Sequence, residues 1–168
     1  MQIPDSIYYP FRETIAEGVR WVEKQPFEHV SIKSFDGLTL KAKYYEYSPD
    51  SPIELMFHGY RGNAERDLSG GVYRCFQLGR SALIVDQRCS GRSGGRVITF
   101  GVRERYDCLE WIRWAVRRFG EETPIFLVGV SMGASTVLMA AGKPLPPNVV
   151  GVLADCGFSS AKKIIQKC

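Results

Sequence analysis

Four short, nearly continuous apolar runs set what this chain can fold into: Ile53 to Phe57, Ala82 to Val85, Ile125 to Val128 and Val149 to Leu153. A half-exposed strand alternates apolar and polar residues, so runs of this kind belong to parallel strands covered on both faces. Helical patterns near 66–79, over 102–119 and over 132–141 separate them. In the second, Val102, Tyr106, Leu109, Ile112 or Arg113, and Val116 mark the expected inward face, with Trp111 and Trp114 as packing residues. Upstream, Val30 to Phe35 and Leu38 to Tyr45 flank Asp36-Gly37, a strong hairpin signal. Residues 10–24 carry Ile15, Val19 and Val22 at helical spacing, with Pro26 just beyond. This order predicts an α/β fold, a three-layer α/β/α sandwich with a mostly parallel sheet and an N-terminal antiparallel hairpin. At 168 residues and 45% hydrophobic, the chain has material for one packed domain. We expect it over 28–168, preceded by a helical segment over 1–27.

Ligands of such sheets collect at the carboxyl ends of the strands. Four polar or glycine-rich loops fall there: 58–63, 86–95, 129–133 and 154–157. The third is Gly129-Val130-Ser131-Met132-Gly133, entered from an apolar β-type run and left into small helix formers. That is G-x-S-x-G in a strand-to-helix turn, the setting in which a serine becomes a nucleophile. Gly129 and Gly133 are needed because side chains there would collide with neighbouring elements. The following helix aims free N–H groups and its positive dipole end at the Ser131 hydroxyl. A dinucleotide loop would need G-x-G-x-x-G, and Val130-Ser131 stands where its second glycine belongs. No cofactor or metal is expected.

A net charge of +4, with arginines scattered rather than clustered among aromatics, gives no ground for a nucleic-acid partner. Cys75, Cys89, Cys108, Cys156 and Cys168 form no C-x-x-C pair, and most sit in apolar runs as small buried hydrophobes. They point to a reducing compartment. Charges recur from Arg12 to Lys24, so neither a signal peptide nor a membrane anchor is visible, and a cytoplasmic location is expected.

From about Val30 onward these segments resemble the α/β-hydrolase superfamily, and among its members the bacterial carboxylesterase- and serine-aminopeptidase-like enzymes. His58-Gly59 is similar to the family's oxyanion loop. Asp86, Arg88, Gly91, Ser93 and Gly95 are similar to its D-x-R-G-x-G-x-S-x-G loop, with Cys89 where glycine is usual. The resemblance implies Ser131 as nucleophile, the N–H groups of Tyr60 and Met132 as oxyanion hole, and His58 as a loop-positioning residue. It implies a small-molecule or peptide acyl substrate, an ester, thioester or amide. His29 is expected on the surface. Arg88, Arg92 and Arg96 either favour an anionic substrate or, as arginines more often do, brace their loop.

A serine nucleophile needs a histidine base oriented by a carboxylate. No histidine follows Ser131. Asp155 follows a strand, where some branches of the superfamily place the acid; loop-bracing is its expected role. The sequence is therefore expected to be the N-terminal part of a hydrolase domain, with acid and base beyond residue 168. A truncated edge at Val149 to Leu153 is expected to self-associate. Two other readings stay open: a non-catalytic binding module on the same fold, and an acyltransferase using the same nucleophile.

Overall fold

A computed structural model describes residues 12–166. The chain runs α1 (Arg12–Glu23), β1 (Glu28–Lys33), β2 (Thr39–Tyr45), β3 (Ile53–Phe57), α2 (Ala64–Gln77) and β4 (Ser81–Asp86). It continues through α3 (Glu104–Phe119), β5 (Ile125–Val130), α4 (Met132–Ala141), β6 (Val149–Asp155) and α5 (Ala161–Ile165). The expected start of the first helix at residue 10, and Cys168, lie outside the described residues.

All six strands form one sheet in the order β1-β2-β4-β3-β5-β6. The hairpin β1–β2 is antiparallel, with Lys33 opposite Thr39, and β2 runs antiparallel to β4. From β4 onward the strands are parallel. This is the three-layer α/β architecture read from the apolar runs. The alternating pleat splits β3 between two cores. Leu55 and Phe57 join Leu83, Val85 and Leu127 against Trp111, Ile112 and Ala115 of α3 and Val137 and Ala140 of α4. Met56 and Ile84 face the other way, onto Leu68, Val72 and Cys75 of α2 and Val22 of α1. Trp21 of α1 stands edge-on to Tyr73 and Phe76 of α2, at ring centroid distances of 5.2 and 5.1 Å. One charge interrupts the apolar β3: Glu54 is wholly buried, and Arg74 and Arg80 pair with its carboxylate, as a buried charge requires.

Two expectations need correcting. The helix expected over 102–119 begins at Glu104, and its inward residues are Glu104, Asp107, Cys108, Trp111, Ile112 and Ala115. Val102 precedes it and is exposed, while Tyr106, Leu109 and Val116 only flank the buried face. Following large apolar residues turned the expected face away from two inward carboxylates, each of which has a buried partner. The cysteine rule holds for Cys75 and Cys108, but Cys89 is half-buried and Cys156 exposed; the four described are free thiols. As expected of an edge at Val149 to Leu153, β6 is not covered on both faces. It forms the sheet's edge, with Val150 56% and Leu153 41% exposed.

The topology positions the site. From β3 the chain crosses to β4 on one side, and β5 then lies on the other side of β3. Such a reversal opens a crevice at the carboxyl ends of the strands concerned. His58-Gly59-Tyr60 leaves β3 and Ser131 leaves β5 at that point.

Candidate active site

Ser131 sits between β5 and α4 with φ 54° and ψ −112°. This left-handed conformation costs a residue with a Cβ about 1–2 kcal/mol. The surroundings enforce it. The Ser131 N–H donates to the Asp155 carbonyl at 2.8 Å, and the Ser131 carbonyl accepts from the Ser135 N–H at 3.2 Å. A Cβ on Gly133 would stand 2.0 Å from the Phe57 carbonyl oxygen, and one on Gly129 2.3 Å from the Gly133 carbonyl carbon. Both glycines are thus required by close packing of β5, α4 and the end of β3. Strain of this kind, fixed from several sides, is characteristic of functional positions.

Gly59 lies against the serine: a Cβ there would be 3.5 Å from Ser131 Cβ and 4.0 Å from Oγ. The structure therefore brings the loop after β3 onto the turn after β5. Among the described residues, the N–H groups of Tyr60 and Met132 donate to no backbone or side-chain acceptor. The Met132 N–H opens α4, so the positive end of the helix dipole adds to it.

His58 is fully buried and both its ring nitrogens are engaged. Its Nε2 lies 3.1 Å from the Gln87 backbone N–H and accepts from it, so the proton must sit on Nδ1, which donates to the Gly59 carbonyl at 2.7 Å. Burial pushes the imidazole pKa below its ordinary value, against the Gly59 hydrogen bond. His58 is thus a neutral brace of the Gly59 loop. The Gln87 side chain completes the tie, donating to the His58 carbonyl at 2.6 Å and accepting from Thr136 Oγ1 of α4 at 3.1 Å. Sequence reasoning missed Gln87 and Thr136, since nothing local marks an amide as a bridge.

The loop after β4 is braced in the same manner. Asp86 accepts from the backbone N–H groups of Ala64 and Arg92, each at 3.0 Å. A Cβ on Gly91, at φ 53°, would stand 2.2 Å from that carboxylate. Arg88 points inward, making paired 2.7 Å hydrogen bonds to Asp107 and longer ones to Asp36 in the β1–β2 turn. Burial works against its charge, but the Asp107 and Asp36 carboxylates more than offset this and raise its pKa. Arg92 reaches exposed His29 at 2.8 Å. The buried Arg88 guanidinium is thus taken up by carboxylates of the protein itself. Asp155 contributes its backbone carbonyl to Ser131, and its exposed carboxylate accepts from the Cys156 thiol at 3.1 Å. Among the described residues no histidine makes a hydrogen bond or ion pair with it. Among the described residues, no group of three or more His, Cys, Asp or Glu could hold a metal ion, and no helix is long and apolar enough to cross a membrane.

Comparison with known proteins agrees with this geometry at the level of fold. No family model matches the sequence. The protein YqkD of Bacillus subtilis, itself described as uncharacterized, is 29% identical over 147 residues, covering 86% of this chain and 46% of the relative. Among solved structures, the Pyrococcus furiosus esterase Pf2001 superposes with a TM-score of 0.72 at 23% identity, covering 82% of this chain and 51% of that one. The α/β hydrolase GrgF from Penicillium sp. sh18 gives 0.69 at 23% identity, over 77% of this chain and 45% of that one. An esterase from Exiguobacterium antarcticum gives 0.66 at 20% identity, over 79% and 46%. The chain has the α/β-hydrolase fold. It spans about half the length of the relatives it matches.

Proposed function

We propose that this chain carries the nucleophile and oxyanion hole of a serine hydrolase acting on an ester, thioester or amide. Ser131 Oγ gives its proton to the general base and attacks the acyl carbonyl, and the N–H groups of Tyr60 and Met132 receive the oxyanion. The alcohol, thiol or amine leaves with that proton as its bond to the acyl carbon breaks, and water then hydrolyses the acyl-Ser131 ester to the free acid. The observation that carries this reading is the strained left-handed backbone of Ser131 at the strand–helix turn, with the Gly59 loop against it. Bracing roles fall to His58, Asp86 and Arg88. The chain has two histidines: His58 has both nitrogens occupied, and His29 lies on the hairpin. In this reading the general base and its carboxylate partner come from outside the 168 residues, and 28–168 is one part of the hydrolase domain.

A fluorophosphonate probe applied to the protein, at the length the cell makes it, is expected to label Ser131 and to fail with Ser131→Ala. Labelling that survives the substitution would place the nucleophile elsewhere. The want of a free histidine near Ser131 favours one rival, a binding module that keeps the pocket without turnover. A folded protein that neither labels nor hydrolyses any activated ester would decide for it.

A further inference from the structure

Tyr60, Phe100 and Phe158 come together beside the nucleophile turn although they belong to three different loops. Tyr60 follows Gly59, whose Cα adjoins Ser131. Phe100 stacks on it, with centroids 5.0 Å apart and planes 27° from parallel, and Phe158 meets Phe100 in an edge-type contact with centroids 6.3 Å apart. Phe158 is tied to α4 one turn beyond Ser131, since its N–H donates to Ser135 Oγ at 2.8 Å. None of the three is buried, and Tyr60 is 44% exposed. Phe100 itself sits at φ 52°, a conformation that glycine adopts far more readily. It is held there by Glu104, a carboxylate 1% exposed. Glu104 accepts from the Thr99 N–H at 2.8 Å, the Thr99 hydroxyl at 2.6 Å and the Gly101 N–H at 2.9 Å. A buried carboxylate thus clamps both neighbours of a strained, partly exposed ring.

We infer that Tyr60, Phe100 and Phe158 form an aromatic subsite that takes a phenyl-type ring on the substrate, with Glu104 as its positioning residue. The proposal rests on Ser131 being the nucleophile, since that gives the subsite its orientation. A run of three partly exposed rings, each in contact with the next, favours an aromatic partner over an alkyl chain of similar size. The ring arrives on either the acyl or the alcohol side of the scissile bond, and the test separates the two.

Binding of both product types to the protein is followed by 15N NMR: 3-phenylpropionate against propionate, and 2-phenylethanol against ethanol. At least one phenyl compound is expected to bind about tenfold tighter than its short counterpart, a stacking and burial gain of about 1.4 kcal/mol. Shifts should centre on the amides of Tyr60, Gly101 and Phe158. An advantage in the acid pair assigns the ring to the acyl side, and in the alcohol pair to the leaving group. Phe100→Gly suits the backbone while removing the ring, so it should erase the advantage without lowering the melting temperature. Phe100→Leu keeps apolar bulk and should also lose it, and Glu104→Gln should reduce it. Equal binding of phenyl and short compounds, or an advantage that survives Phe100→Gly and Phe100→Leu, overturns the inference. Ser131→Ala should leave ring binding intact while removing fluorophosphonate labelling, so failure of the subsite and failure of the hydrolase reading are told apart.

Discussion

Single residues in this chain carry backbone conformations that their neighbours dictate. Besides Ser131 and Phe100, Cys89 adopts φ 63° in the loop after β4, where its N–H donates to the Gly94 carbonyl at 3.0 Å. A non-glycine left-handed residue costs about 1–2 kcal/mol, and a new glycine returns up to about 1 kcal/mol through unfolded-chain entropy. Cys89→Gly is therefore expected to stabilise the fold by about 0.5 kcal/mol, read from the denaturant midpoint at unchanged slope. A loss of more than about 1 kcal/mol would show that the thiol's packing against Gly95 outweighs the strain. At this scale the sequence was most readable where a glycine was needed. Gly129 and Gly133 announced a close approach, and the structure supplies the atoms they approach. Phe100, Gln87 and Glu104 were not readable, because their partners lie in loops that only the folded sheet brings together.

Elements are placed here by buried polar ties as much as by apolar faces. The β3 loop is fastened through His58 to the β4 loop and through Gln87 to α4, and Arg88 fastens the β4 loop to α3 and the hairpin turn. This explains why helix α3 was misread. Its inward face includes Glu104 and Asp107, which a hydrophobic pattern counts as outward and which fold inward only because Thr99, Gly101 and Arg88 meet them. The strands were legible because parallel central strands are apolar on both faces, whatever lies beside them. The His58 tie has a pH signature. Its folded pKa stands below 6.5, so on acidification the unfolded chain binds a proton that the folded chain does not. The stability it contributes is complete above 6.5 and is lost as pH falls from there towards the folded value. Stability measured between pH 8 and 5 should fall through this window in the parent and less steeply in His58→Asn, compared as slopes. Equal slopes would mean that folding leaves the proton affinity of His58 unchanged, contrary to the burial of its ring.

For the whole molecule, the sheet is asymmetric in a way that bears on association. The hairpin edge is covered in part by α3, whereas β6 closes the other side with Val150 and Val152 exposed on one face. On the opposite face Leu153 lines a groove of about 550 Å³ together with Met56, Leu68, Gly71 and Val128. An edge strand with unpaired N–H and C=O groups and apolar side chains on both faces is a template for another strand. Residues 1–168 by themselves should therefore associate as concentration rises to the order of 0.1 mM, the range in which exposed edges promote assembly. Sedimentation velocity measures this directly. Val150→Lys with Val152→Lys puts two charges on the edge without touching the Ser131 turn or either buried cluster, and should shift the distribution to monomer at unchanged thermal stability. Like charges on facing strands repel across the new pairing, so the effect should weaken as added salt screens them. A parent chain that stays monomeric over the whole range would mean that β6 is blunted by its irregular register with β5 at Ile125/Phe126 and not by anything that covers it.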